Sequence, residues 1–144
     1  MRDRLGYALA ITVSVVVLPY IITLCINGCA SRQSSVLAKV SSGKDVVVTE
    51  NGKNKLVDVE RYIAMALPGL IDYKSDMELI EAQAVAVRGK ILYEMGTDST
   101  IKAGELEFTC YDRQDMIEKF GRTNYRRAQE VYEQAVYNTL GQTM

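Results

Sequence analysis

Ala82-Gln83-Ala84-Val85-Ala86-Val87-Arg88 lies inside the stretch that decides the fold, residues 75–96. Ser75-Asp76-Met77-Glu78 has the pattern of a capping box, in which Ser75 accepts from the Glu78 backbone and the Glu78 side chain reaches back. Gly96 is a C-terminal stop, so the pattern predicts a helix running to about Met95. On its wheel Ile80, Ala84, Val87 and Ile91 form one apolar stripe, and Leu79, Ala82, Ala86 and Tyr93 form another. Glu81 and Arg88 share the narrow polar edge. A helix apolar on two sides is expected to pack on two sides, and its alanines let neighbours come close. This helix is expected at the centre of the domain.

Outward from it, local signals give the remaining elements. Asp45–Glu50 and Lys55–Val59 are β-rich runs around Asn51-Gly52, the pattern of a hairpin. A hairpin of that size is too small to stand alone and must lean on helices. Glu60 to about Leu67 reads as a short helix that Pro68-Gly69 interrupts. Leu106–Cys110 is a candidate short strand in the loop 98–111. Asp112 can cap a helix over 113–120 that Gly121 stops. Thr123 can cap a last helix over 124–139, which buries Ala128, Val131, Tyr132, Ala135, Val136 and Thr139. Gly141 follows as its stop. The fold class expected is α+β and mostly helical, one small domain with a β-hairpin and three to four helices.

No charged residue occurs from Leu5 to Ile26. That run reaches the roughly 20 apolar residues that span a bilayer as a helix, and Pro19 is tolerated in such a setting. Residues 1–28 are therefore read as a single-pass transmembrane anchor or a signal segment. The cell membrane is the expected location, with membrane lipid around the anchor and the domain on the extracytoplasmic side. Ile26-Asn27-Gly28-Cys29 also resembles a loose lipoprotein cleavage box, so the lipoprotein route stays open. Residues 29–43, rich in Ser and small side chains, read as a linker, and 44–144 as the domain.

Composition excludes several chemistries. The 144 residues carry a formal net charge of -1, which offers no basic footprint for nucleic acid. There is no histidine, which removes the His general base, the His-built triads and the His-containing zinc sites. Cys25, Cys29 and Cys110 make an odd number and no disulfide framework. No metal site and no cofactor are expected.

Two blocks carry a resemblance. Val59-Glu60-Arg61-Tyr62-Ile63 and Ala82–Arg88 resemble the E-E-Y-V and A-Q-A-V-A-A-R-T blocks of the N-terminal domain shared by stage II sporulation protein D and the amidase enhancers. That is a bacterial family of peptidoglycan remodelling. The spacing from Tyr62 to Gln83 matches without a gap. Ala135-Val136-Tyr137-Asn138-Thr139-Leu140-Gly141-Gln142 is similar to the family's A-V-x-x-T-x-G-x, and the likeness extends over residues 56–143. It implies peptidoglycan glycan strands as the ligand, and a cell-wall amidase or other wall hydrolase as a partner. Tyr62, Gln83 and Arg88 are the implied binding residues. The family's proposed catalytic acid lies in an E-M-P between the blocks, and Leu70 stands at its position here. The C-terminal half that completes the family's cleft is expected to be absent from this chain. A lytic transglycosylase must protonate the glycosidic oxygen, which leucine cannot do. The expected role is thus binding or regulation of wall hydrolysis without catalysis. Two alternatives stay open: a divergent glycan-cleaving enzyme using Asp72, and a non-catalytic protein-interaction module of a membrane assembly.

Overall fold

The computed structural model describes residues 36–50 and 52–143. The Leu5–Ile26 run, Cys25, Cys29 and the start of the linker lie outside them. Among the described residues no helix is long and apolar enough to cross a membrane. A single 3-10 turn, Val36–Lys39, precedes β1 (Asp45–Glu50), β2 (Lys53–Asp58), α1 (Val59–Leu70) and α2 (Met77–Met95). Then come β3 (Thr100–Lys102), a 3-10 turn (Ala103–Glu105), α3 (Arg113–Phe120) and α4 (Tyr125–Asn138). The class is α+β and mostly helical, as expected. The described part of the stretch read as linker packs onto the domain. Leu37 is buried in the core, and the Ser42 N–H and hydroxyl both donate to Asp58 Oδ2, at 2.7 and 3.1 Å.

The hairpin forms in the register its turn demands. Val46 faces Val57 and Glu50 faces Lys53, with Gly52 at φ +74° in the connection. A third strand corrects the expectation for 106–110. β3 pairs in parallel with β1, Val46 against Ile101, so the sheet order is β2-β1-β3. A parallel neighbour needs a crossover, which the helices between supply, and a three-residue strand is too short to announce itself by alternation. Leu106 and Phe108 instead pack on the core from an irregular segment. The Tyr111 N–H beyond them donates to the Met65 carbonyl on α1 at 2.8 Å.

α1 follows β2 without a loop, because Asp58 at its N-cap accepts from the Glu60 N–H. The helix does not stop at Leu67; it runs through Pro68 to Leu70. Proline removes one intrahelical donor, and in a last turn only the Ala64 carbonyl loses its partner. Gly69 lies directly under Tyr111, where a Cβ would come within 3.0 Å of the ring.

In α2 the first apolar stripe is buried, with Ile80, Ala84, Val87 and Ile91 joined by Met95. α1, α2 and α4 pack on one another, and β3 lies against α2. The second stripe is a correction: Leu79 is 58 % exposed and Tyr93 84 %. These neighbours cover one side of α2, so its other side faces out. The capping box is corrected too. Asp76 is the N-cap and makes no side-chain capping bond. Ser75 is held in the preceding turn, its N–H donating to the Asp72 carbonyl at 3.0 Å. Gly96 ends the helix at φ +56°, as its position predicts.

Asp112 caps α3 in a full capping box with Asp115, and Gly121 closes it at φ +80°. The N-cap of α4 is Asn124 rather than Thr123, and the Asn124 side chain turns back to the Phe120 carbonyl instead of capping. Tyr125, Ala128, Tyr132, Ala135 and Val136 are buried along its inner stripe, with Val131 half-buried. Placing a charge in the α1–α2–α4 seam tests this packing. Ala84→Asp is expected to cost several kcal/mol, read as a lower denaturation midpoint. Asp112→Ala should cost about 1 kcal/mol, and Ser75→Ala almost nothing. An unchanged midpoint for Ala84→Asp would place α2 on the surface.

Candidate functional site

The position that the resemblance assigns to the family's acid lies where α1 ends. Leu70 is its last residue and is 45 % exposed. Asp72 is exposed in the following turn, where its carboxylate accepts the Lys74 N–H at 2.8 Å. This is the Asx turn typical of a short connection. The surroundings are cationic and aromatic. Lys119 donates to the Pro68 carbonyl and lies 4.8 Å from the Tyr111 ring centroid. Tyr73 meets Phe120 edge-on at 5.2 Å. The Tyr132 hydroxyl donates to the Ile71 carbonyl at 2.7 Å and pins the turn to α4.

The three residues implied as binding groups do not converge. Arg88 is buried at 2 % exposure. Its Nη2 and Nε donate to the Glu60 carboxylate at 2.7 and 3.0 Å, and Nη1 donates to the Thr139 and Gln142 carbonyls, both at 2.9 Å. Glu81, which shares the polar edge of the helix with Arg88, is not its partner: it accepts from Asn138 at 2.7 Å. Helix spacing put Glu81 and Arg88 on one edge two turns apart, whereas the fold brings Glu60 of α1 directly to the guanidinium. Gln83 is half-buried on α2.

Tyr62 is fully buried, and its hydroxyl has no hydrogen-bond partner of ordinary geometry. The polar group beside it is the Cys110 thiol. Burial pushes the Tyr62 hydroxyl well above the usual phenol range, and the thiol adds to the effect. Burial likewise raises Cys110, offset in part by Tyr62. A thiol held protonated without a histidine base is a poor nucleophile.

A groove does form beside these residues. A cavity of about 390 Å³ is lined by α1, α3, α4, the segment before α3, the 3-10 turn at Val36–Lys39 and β2. Leu37, Ala64, Met65 and Met116 give it an apolar base. Lys55, Arg61, Tyr111, Arg113, Gln129 and Glu133 supply polar groups around that base. Gln129 donates to Glu133 at 2.8 Å, one turn along α4. An apolar base with a few placed hydrogen-bonding groups is the usual composition of a small-ligand cleft. Sequence reasoning missed this set. Arg61 is adjacent to Tyr62, but a helix turns about 100° per residue, so one faces the groove and the other the core. The only sequence signal was i, i+4 spacing: Arg61 with Met65, and Gln129 with Glu133.

The Arg88 node and the orphaned Tyr62 hydroxyl make opposite predictions. Glu60→Ala or Arg88→Ala should lower stability by about 3–5 kcal/mol, since each strands a buried charge. Arg88→Lys should recover little, because one ammonium cannot serve Glu60 and two carbonyls together. Tyr62→Phe should leave the melting temperature equal or higher, since the hydroxyl is buried without a bond. The folded state also holds the Cys110, Tyr62 and Tyr132 protons more tightly than the unfolded chain. Stability from these groups is therefore complete below the ordinary thiol value of 9.0 and is lost as pH rises above it. Melting scans from pH 7 upward check this: a flat profile overturns it, and Tyr62→Phe should flatten it in part.

Comparison with known proteins fits this geometry. The profile of the family described as Stage II sporulation protein (SpoIID) matches residues 49–144, from within β1 to beyond α4. No curated protein matches the chain. The profile takes in both blocks, the whole three-helix seam and the groove apart from Leu37, well over half the sequence. By that match the chain belongs to the Stage II sporulation protein family, which is linked to sporulation and the cell wall.

Proposed function

We propose that this protein is a membrane-anchored, extracytoplasmic member of its family that binds peptidoglycan glycan strands and regulates a wall amidase or other hydrolase, without cleaving glycan itself. The observation that carries the reading is the groove with an apolar base of Leu37, Ala64, Met65 and Met116 and polar groups around it. It lies in a domain whose acid position is occupied by Leu70. Arg61, Gln129 and Glu133 offer donors and acceptors suited to sugar hydroxyls, and Tyr111 lines the groove beside them. The uncharged Leu5–Ile26 run supports the anchor. The exposed apolar side of α2, with Leu79 and Tyr93, favours a second reading in which the domain contacts protein and not sugar.

The full chain in detergent should sediment with purified sacculi, and Arg61→Ala with Tyr111→Ala should weaken that binding about tenfold while leaving the fold intact. The sacculi should yield no anhydro-muropeptides. Their appearance, with loss in Asp72→Asn, would replace this reading with the enzyme. Absence of both sedimentation and amidase stimulation would leave the protein-contact reading. Carbonate extraction of cells should keep the chain in the membrane pellet, and a soluble shortened product would exclude the retained anchor.

A further inference from the structure

This inference rests on the glycan reading of the groove and extends it. The groove meets a second, open cavity of about 870 Å³ at Asp112 and Arg113, which line both. Arg122, Tyr125 and Arg126 also line the second cavity. Tyr125 is 8 % exposed, and its hydroxyl receives two guanidiniums. Arg113 Nη2 donates at 3.2 Å and Arg126 Nε at 3.1 Å. Their Cζ atoms lie 5.6 and 5.9 Å from the ring centroid. Two cations gathered on one neutral oxygen repel each other. Among the described residues no carboxylate lies within ion-pair distance of Arg113, Arg122 or Arg126. Asp112 accepts the Asp115 N–H instead. Glu130, one turn beyond Arg126, draws on Arg126 through space. α4 begins at this cavity with no side-chain cap and no acid in its first turn, so its positive end adds to the field. The bond from Arg126, with Arg113 behind it, holds the Tyr125 hydroxyl below the usual phenol range.

We propose that Arg113, Arg122 and Arg126 form an oxyanion subsite at the end of the groove, which takes a carboxylate carried by the glycan's lactyl or peptide groups. The planar guanidinium fork matches a carboxylate in bidentate fashion. The tyrosine beneath holds two of the three arginines in place, so little side-chain freedom is lost on binding. The groove then reads the sugar and the arginines read its charge. The protein discriminates acidic wall glycan from neutral glycan of the same backbone.

Calorimetry on the full chain in detergent tests this with two probes, an acidic muropeptide and neutral chitotetraose. The muropeptide is expected to bind about tenfold more tightly at low salt, with the advantage shrinking as salt rises. Arg122→Gln combined with Arg126→Gln should erase the advantage and leave chitotetraose affinity within about twofold, since neither residue lines the groove. The melting temperature checks that the double variant is folded. If it is not, Arg122→Gln alone, at an exposed position, should reduce the same advantage. Equal affinity for the two probes overturns the subsite and leaves the groove standing. An advantage that persists in the variants overturns it as well. A glycerol phosphate oligomer that binds more tightly than the muropeptide overturns the carboxylate assignment. If neither sugar probe binds, the glycan reading of the groove fails and takes this inference with it.

Discussion

The Arg88 guanidinium is the constraint on which the rest of the domain depends. It reaches from α2 to Glu60 on α1 and to the carbonyls of Thr139 and Gln142 at the end of α4. Burying two charges costs several kcal/mol each, and the arrangement survives because nearly every donor of the fork has an acceptor. Arginine suits the place because its donors are planar and fixed in direction. The negative end of α4 also finds a cation there. The node works as a three-way lock: it sets how α4 lies across α1 and α2.

That lock positions the surface that matters. The N-terminal end of α4 carries Tyr125 and Arg126, its middle carries Gln129 and Glu133, and its far end is tied to Arg88. The groove between α1, α3 and α4 is thus built on a rigid seam of Ala84, Val87, Ala128, Ala135 and Val136, where small side chains allow close helix approach. Tyr132 adds a second tie through its bond to the Ile71 carbonyl, which fixes the turn carrying Asp72 next to Leu70. The turn is held firmly, yet what it presents to solvent is an aliphatic side chain and an aspartate engaged in its own backbone turn. α2, covered on one side, leaves Leu79 and Tyr93 exposed.

Much of the domain is legible in the sequence where the cause is local. The hairpin is legible around Gly52 because its positive φ suits glycine. Gly96 and Gly121 end helices because positive φ is cheap for glycine alone. Asp112 and Asp115 satisfy each other's backbone donors within four residues. The buried stripe of α2 follows from its spacing. Ser75 and Thr123 fail as caps for a different reason. Each has the right chemistry, but the residue after it, Asp76 or Asn124, takes the N-cap position, because the preceding turn has already fixed the backbone.

The sequence by itself thus determined the class, the order of elements, the inner helix face and the family, all of which depend on neighbours a few residues apart. Tertiary structure alone decided the partner of Arg88, the parallel strand at 100–102, the exposed second stripe of α2, and the groove with its arginine end. Each of these joins residues from separate elements, Glu60 with Arg88 or Arg113 with Tyr125 and Arg126. No periodicity records such a meeting, because it is set by how whole helices pack and not by the spacing along any one of them.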